Sequence, residues 1–376
     1  MHKLAFALAG GGARGAYVAG VLRYLLTHLP KHLGYVPWPK IVSGASVGAL
    51  NGYPVACHDH GEIHRMLQVW RNMQINQIYT LPSGVLDFLQ TLNRASYNGG
   101  MLDSTPLYQM IKRETARQTL RKGIHPDRCQ AFLIAATHLA SGTSTIFADC
   151  FSSDLSVPNL PGGRVIRTKI QPEHVLASGS IPCIFPPVRI KDEWYLDGAL
   201  HMYAPLHPLI KMGANRILVL GTRAEQDERS AAEAISPTIS SVAGLSFNAM
   251  GLDHIERDAL AIEQTNQLID WGVQTYGAEF AKKLESERGL RQTKVLHLRP
   301  SRSLSLLAYE VFIAEKIAAP KNLQWMFSKI HDQSSSSGSS YLLSFLLFDK
   351  LYTTAAEDLG FQDAKEQKER LLSFFS

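Results

Sequence analysis

The chain has 376 residues, of which 45% are hydrophobic and 19% charged, and its formal net charge is +5. This composition is typical of a globular protein and excludes a disordered chain, a collagen and a coiled coil. So small a net charge permits contact with an anionic surface but does not indicate a nucleic-acid partner. The length fits one large α/β domain with an extension, or two domains.

The first predicted elements form two similar units. Residues 4–9 are a continuous apolar run, as in a strand buried on both faces, and a glycine cluster and a helical pattern over residues 16–29 follow. Residues 41–42 begin a second apolar strand, which leads into a turn at residues 44–48 and then into a further helix. In a parallel sheet the two turns lie at the same end.

Further buried strands are predicted at residues 131–136, 144–148, 216–221 and 294–298, with helical segments between them. This alternation predicts a three-layer α/β/α sandwich with a mostly parallel central sheet and a helical C-terminal extension. Proline and glycine predict loops at residues 158–163 and 180–187, and residues 224–234 form a polar excursion.

The C-terminal region is predicted to have three parts. Residues 301–333 are a helical extension of the main body, and the serine-rich residues 334–340 are a flexible linker. Residues 341–376 form an amphipathic helical tail with Leu- and Phe-rich ends. Docking on the main body is the favoured fate of this tail, and binding to a partner or to a membrane surface are the alternatives.

No run approaches the ~18 apolar residues that a membrane span requires, because the best candidate is short and is interrupted by Ser344. The apolar run at residues 4–9 is shorter than a signal-peptide core and has no cleavage-site pattern after it. We therefore expect a cytoplasmic protein, with peripheral attachment to a membrane or leaderless export as alternatives.

The densest basic cluster could rest on phosphate head groups, but a solvated helix face is the more common structure for such a run. Its members are Lys112, Arg113, Arg117, Arg121 and Lys122.

The cysteines are far apart in the sequence and include no CxxC pair, so neither a disulfide framework nor a zinc site is indicated. We expect them to be reduced and mostly buried. They are Cys57, Cys129, Cys150 and Cys183.

The first glycine cluster fits the G-x-G-x-x-G pattern through Gly10, Gly12 and Gly15. A dinucleotide site would need an acidic residue about 20 positions further on, but none precedes Asp59, and no Gly-Lys-Ser/Thr of a phosphate-binding loop follows. Nucleotide binding is therefore the weakest alternative. The backbone N–H groups of such a loop can equally hold an anion or a developing oxyanion.

The second turn, Gly44-Ala45-Ser46-Val47-Gly48, matches the G-x-S-x-G nucleophile elbow, in which small neighbours allow a sharp turn that presents the serine. A serine nucleophile needs a base. One candidate is Asp197, which is otherwise an ordinary turn aspartate in an Asp-Gly turn after a short aromatic strand. The alternative is a histidine, as in α/β-hydrolases, with these candidates: His201, His207, His254 and His297.

Taken together, these residues resemble the patatin-like phospholipases over residues 3–300. The resemblance rests on four ordered blocks: Gly10-Gly11-Gly12-Ala13-Arg14-Gly15, Gly44-Ala45-Ser46-Val47-Gly48, Ala177-Ser178-Gly179-Ser180-Ile181-Pro182 with Phe185-Pro186-Pro187, and Asp197-Gly198-Ala199. It implies a catalytic domain at residues 1–300.

The resemblance also implies a Ser–Asp dyad without histidine, with Ser46 as the nucleophile and Asp197 as its base. The N–H groups of Gly10, Gly11 and Gly12 would then hold the oxyanion. The implied supporting residues are Arg14, Gly15, Gly44, Gly48 and Gly198. Arg14 would steady the loop, attract an anionic head group or make an ion pair.

The implied activity is hydrolysis of fatty-acyl esters of phospholipids or lysophospholipids at a membrane surface, without a metal or a cofactor. Transacylation is an alternative within the same chemistry. A different alternative is an inactive membrane-binding or scaffold protein with the same fold. The resemblance does not determine whether a protein activator or a homo-oligomer is required.

Overall fold

The computed structural model of the chain describes residues 3–80, 98–153, 155, 162–202, 204–224, 252–314 and 337–376. Within these residues nine strands form one sheet. The strands are β1 (Leu4–Leu8), β2 (Ile41–Ala45), β3 (Ala131–His138), β4 (Ser144–Cys150), β5 (Gly163–Arg167), β6 (Val188–Ile190), β7 (Glu193–Asp197), β8 (Arg216–Leu220) and β9 (Lys294–Leu298).

The main path of the sheet runs in the order β5-β4-β3-β2-β1-β8-β9. Five neighbouring strands of this path are parallel to one another: β3, β2, β1, β8 and β9. Strand β4 is antiparallel to β3. The remaining strands, β6 and β7, pair with each other, and β7 joins them to the sheet by pairing antiparallel with the end of β3. The turns after β1 and β2 therefore lie side by side at one end of the sheet.

Helices lie on both faces of the sheet. The described helices are α1 (Gly15–Arg23), α2 (Pro30–Leu33), α3 (Val47–Ala56), α4 (His60–Arg71), α5 (Thr105–Thr115), α6 (Thr119–Gly123), α7 (Pro172–Ser178), α8 (His207–Lys211), α9 (Leu252–Tyr276), α10 (Glu279–Arg288), α11 (Leu304–Ala314), α12 (Ser337–Leu346), α13 (Lys350–Glu366) and α14 (Lys368–Phe375).

The side chains of β1 alternate between two cores, as the period of a strand requires. Phe6 and Leu8 enter the larger core, which also contains residues of α1, α3 and α13. Ala5 and Ala7 enter the smaller core, to which α8 contributes Leu209. Burial of both faces explains why β1 is apolar throughout.

The expected α/β sandwich with a mostly parallel sheet is confirmed, and every strand predicted from an apolar run is present. The sequence pattern missed β5 and β6. β5 contains Arg164 and Arg167 and is half-exposed at the edge of the sheet, so it has no continuous apolar run. Residue 163, which was predicted to lie in a loop, begins this strand; residues 158–161 of that loop and 225–234 of the polar excursion lie outside the described residues.

The C-terminal tail packs onto the main body. Helix α13 lies against α1, and a Cβ atom at Gly20 would overlap the carbonyl group of Glu357, so the two backbones are in close contact. Helix α12 begins at Ser337, inside the stretch predicted to be a flexible linker, while residues 334–336 and 315–333 lie outside the described residues. The division of the chain into domains stays a prediction.

The basic cluster is exposed on α5, on α6 and between them, as expected of a solvated face. No described helix combines the length and the apolarity needed to cross a membrane. All four cysteines are free. Cys57 and Cys129 are buried as predicted, but Cys150 is half-exposed and Cys183 is exposed, because it lies in the Pro-rich loop before β6 rather than in a strand or helix.

Candidate active site

Ser46 occupies a strained turn between β2 and α3. Its φ is 54° and its ψ is −128°, a backbone conformation that costs a non-glycine residue on the order of 1–3 kcal/mol. The neighbouring glycines make room for this turn, because a Cβ atom at Gly44 would overlap the backbone of Gly48 and one at Gly48 would overlap the carbonyl of Leu8. The serine is thereby placed at the end of the strand and the start of the helix.

Strand register brings Asp197 to this serine. On β3, Ala135 pairs with Ala45 at the end of β2, and Ala136 pairs with Asp197 at the end of β7. The ends of β2 and β7 therefore meet along one edge of β3. The Ser46 hydroxyl donates a hydrogen bond of 2.6 Å to Oδ2 of Asp197, and both residues are buried.

The Asp197 carboxyl is buried away from water. Burial raises its pKa to about 7, although hydrogen bonds from the Ser46 hydroxyl and from the N–H of Ala199 favour the charged form. None of the described histidines hydrogen-bonds Ser46. His201 is exposed, and the side chain of His254 lies outside the described residues. Among the described candidates the arrangement favours Asp197 as the base, because Asp197 accepts the hydrogen bond from the Ser46 hydroxyl.

The loop after β1 lies beside Ser46. A Cβ atom at Gly10 would lie 3.2 Å from the Cβ atom of Ser46. Gly11 and Gly12 have φ values of 146° and 56°, which favour glycine. Among the described residues no backbone carbonyl accepts a hydrogen bond from the N–H groups of Gly11 and Gly12.

The two other predicted supporting glycines make close contacts between elements. A Cβ atom at Gly15 would overlap the side chain of Val47, which lies next to Ser46 in the chain. A Cβ atom at Gly198 would overlap the backbone of Ala135. These glycines allow the loop after β1 to approach α3 and the turn after β7 to approach β3.

Arg14 lies in the interior beside the loop after β1. The residue is 1% exposed, so it cannot meet a head group at the surface, and among the described residues no carboxylate pairs with it. Its guanidinium donates hydrogen bonds of 2.8 Å to the hydroxyls of Ser344 and Ser305. Of the three roles expected for Arg14, steadying the loop is the one that fits these contacts.

Several residues that position the site were missed in the sequence. The hydroxyl of Ser178 accepts a bond of 2.8 Å from the N–H of Ser46 and donates one of 2.6 Å to the carbonyl of Ala135. The hydroxyl of Thr222 donates a hydrogen bond of 2.7 Å to the carbonyl of Gly10. Ser178 falls inside the Ala177–Pro182 block and could have been identified there, whereas Thr222 follows β8 without any local motif.

Among the described residues, no group of three or more His, Cys, Asp or Glu side chains is arranged to hold a metal ion. The groups at the site that can act chemically include a serine hydroxyl, a carboxyl with a raised pKa and the backbone N–H groups of the loop after β1. This set can support acyl transfer through a covalent intermediate.

Comparison with known proteins gives one family. The family model described as "Patatin-like phospholipase" matches residues 6–210. A search of curated proteins finds no match. Among solved structures, VipD from Legionella pneumophila is 12% identical, with a TM-score of 0.38, and the match covers 98% of this chain and 67% of that one.

Proposed function

Because the chain belongs to the patatin-like phospholipase family, whose members are lipid acyl hydrolases, we propose that it hydrolyses fatty-acyl esters of phospholipids or lysophospholipids. The observation that carries this proposal is the bond of 2.6 Å from the Ser46 hydroxyl to Oδ2 of Asp197. In the proposed reaction Ser46 is the nucleophile and Asp197 is its base.

In the acylation step, Oγ of Ser46 attacks the carbonyl carbon of the ester while its proton passes to Asp197. The carbonyl oxygen becomes an oxyanion. When the tetrahedral intermediate collapses, the ester C–O bond breaks, and Asp197 returns the proton to the oxygen of the leaving alcohol. The fatty-acyl group is then attached to Ser46.

In the deacylation step, a water molecule gives a proton to Asp197 and attacks the acyl carbon. The bond to Oγ of Ser46 breaks, the fatty acid leaves, and the proton returns to the serine. The same carboxyl thus acts as base and then as acid in both steps, and a pKa of about 7 suits a group that must exchange a proton in each direction.

The loop of Gly10, Gly11 and Gly12 would hold the oxyanion through its backbone N–H groups, of which those of Gly11 and Gly12 have no backbone acceptor among the described residues. Such donors cost no reorganisation when charge develops, and the loss of one typically costs on the order of 2.7–4 kcal/mol of transition-state stabilisation. The oxyanion loop and the nucleophile lie together because Gly10 and Ser46 are in contact.

The test is hydrolysis of a p-nitrophenyl ester and of phosphatidylcholine vesicles, with EDTA present, by the wild type and by Ser46→Ala and Asp197→Asn. We expect turnover by the wild type and a loss of at least about 10³-fold in each variant. Ser43→Ala is a matched control, because Ser43 is a buried serine on β2, the strand that precedes Ser46, and its hydroxyl donates a hydrogen bond to the carbonyl of Pro205 instead. Equal activity in the wild type and Ser46→Ala would refute the proposal.

Two alternatives have distinct outcomes in the same experiment. Transfer of the acyl group to an added alcohol in preference to water would identify a transacylase. Vesicle binding that survives Ser46→Ala, with no turnover by the folded wild type, would identify an inactive binding protein. If a fluorophosphonate nevertheless labels Ser46, the nucleophile is competent and an activating partner is missing.

A further inference from the structure

Arg14 is a buried cation without a carboxylate partner among the described residues. A buried charge is costly unless hydrogen bonds satisfy it, so its donors must have partners. They are found in the C-terminal part of the chain: Nε of Arg14 donates to Ser344, and Nη2 donates to Ser305. These partners are separated from Arg14 by 330 and 291 positions.

Helix α12 covers the oxyanion loop as well as Arg14. A Cβ atom at Gly12 would overlap the carbonyl group of Phe345, so the helix backbone lies directly on the loop. The ring of Phe345 lies 4.4 Å from the guanidinium carbon of Arg14, within the range of a cation–π contact. The helix therefore contacts the loop through backbone, hydroxyl and ring.

The main body in turn holds α12 in place. The hydroxyl of Tyr79 donates a hydrogen bond of 2.8 Å to the carbonyl of Leu346 at the end of the helix. Leu347, the next residue, is completely buried. Helix α13 follows and packs against α1, which begins at Gly15, directly after the loop. The helix is thus a fixed support rather than a surface appendage.

We propose that α12 positions the oxyanion loop, with Ser344 on α12 and, from α11, Ser305 acting as positioning residues through Arg14. This inference rests on the proposed function for its catalytic consequence. The glycines of the loop have no side chains that could hold their N–H groups in one orientation, and Arg14 ends the short helical turn that Gly12 begins. Fixing the guanidinium therefore fixes the end of the loop next to the N–H donors.

The test compares Ser344→Ala with Ser303→Ala. Ser303 is also buried and lies near the start of α11, but its hydroxyl accepts from the N–H of Leu306 and not from Arg14. Two quantities are measured in each variant: hydrogen–deuterium exchange of the peptide covering residues 10–15, and kcat and KM for ester hydrolysis. Ser305→Ala serves as the second variant if Ser344→Ala does not fold.

We expect faster exchange at residues 10–15 in Ser344→Ala and unchanged exchange there in Ser303→Ala. We also expect kcat to fall by about 10- to 100-fold with little change in KM, because a small misplacement of catalytic groups costs about that much. In an Arg14→Lys background, which lacks the two-armed guanidinium, Ser344→Ala should lower kcat much less.

Equal exchange at residues 10–15 in the wild type and Ser344→Ala would overturn the proposal, as would equal losses of kcat in Ser344→Ala and Ser303→Ala. Failure of the proposed function looks different. In that case the wild type and Ser46→Ala would not differ in ester turnover or in fluorophosphonate labelling. The exchange measurement would still decide whether α12 holds the loop.

Discussion

At the residue scale, the burial of Asp197 makes the proposed base effective. An exposed aspartate is a weak base, because its pKa lies far below neutral pH. Desolvation raises the pKa of Asp197 to about 7, and the bonds from Ser46 and Ala199 limit the rise. A base whose pKa lies near the operating pH gives the best combination of ionised fraction and proton affinity.

This pKa predicts the pH dependence of activity. The ionised carboxylate is the active form and the protonated carboxyl cannot accept the serine proton, so kcat/KM should rise with pH through about 7 and level off above it. The measurement is ester hydrolysis from pH 5 to 9, with p-nitrophenol read at its isosbestic wavelength. Circular dichroism at each pH controls for unfolding. A profile already flat from pH 5 upward would contradict the prediction.

Local sequence indicated Ser46 and Asp197, the proposed nucleophile and base, because each lies in a turn whose conformation a short motif encodes. Two hydroxyls that hold the neighbouring glycine loop were not predictable in this way. Thr222 supports Gly10, and Ser344 supports Arg14, across sequence separations of 212 and 330 residues. A hydroxyl that bonds to a distant partner leaves no pattern in its own neighbourhood, so these contacts emerge from the folded chain alone.

At the element scale, the contact of α1 with α13 depends on glycine. A Cβ atom at Gly20 would overlap the carbonyl of Glu357, and one at Gly360 would overlap the carbonyl of Tyr17. Backbone atoms of a packed helix cannot move aside as the end of a long side chain can. The two glycines are therefore required for the close approach that brings the tail onto the main body.

Gly20→Ala should destabilise the protein. Alanine improves helix propensity by about 1 kcal/mol, but overpacking of a core costs about 1–3 kcal/mol, and here the overlap is with backbone, so the cost should dominate. Chemical denaturation followed by circular dichroism measures the change. Gly179→Ala is the control, because a Cβ atom there meets no atom closer than 3.7 Å. A more stable Gly20→Ala protein would show that the helices can separate without penalty.

Continuous apolar runs in the sequence predicted strands such as β1 and β3. Edge strand β5 has no such run, and α12 begins in a serine-rich stretch that by composition favours a linker. Tertiary contacts stabilise this helix, since Ser344 is completely buried against Arg14. The composition of a segment indicates only its local conformational preference. Here the packing of α12 against the main body outweighs the preference of its serine-rich start for a flexible linker.

At the scale of the whole molecule, buried charges join the tail to the body. Glu357 on α13 is completely buried and pairs with Arg23 at 3.0 Å and with Arg71 on α4. Asp363, which lies further along α13, accepts a hydrogen bond of 2.8 Å from the N–H of Ser301. Separation of the tail would leave these groups without partners, so the tail and the body should unfold as one unit.

Glu357→Ala tests this coupling. Removing one member of a buried ion pair costs about 3–5 kcal/mol, but Arg23 and Arg71 retain contact with water, so we expect a smaller loss of unfolding free energy, about 1–3 kcal/mol. Hydrogen–deuterium exchange should show α1 and α13 losing protection together. Because α13 continues from α12, which contacts the oxyanion loop, esterase activity should disappear over the same denaturant range. Exchange of α13 at a lower denaturant concentration than α1, with activity retained, would show instead that the tail is an independent unit.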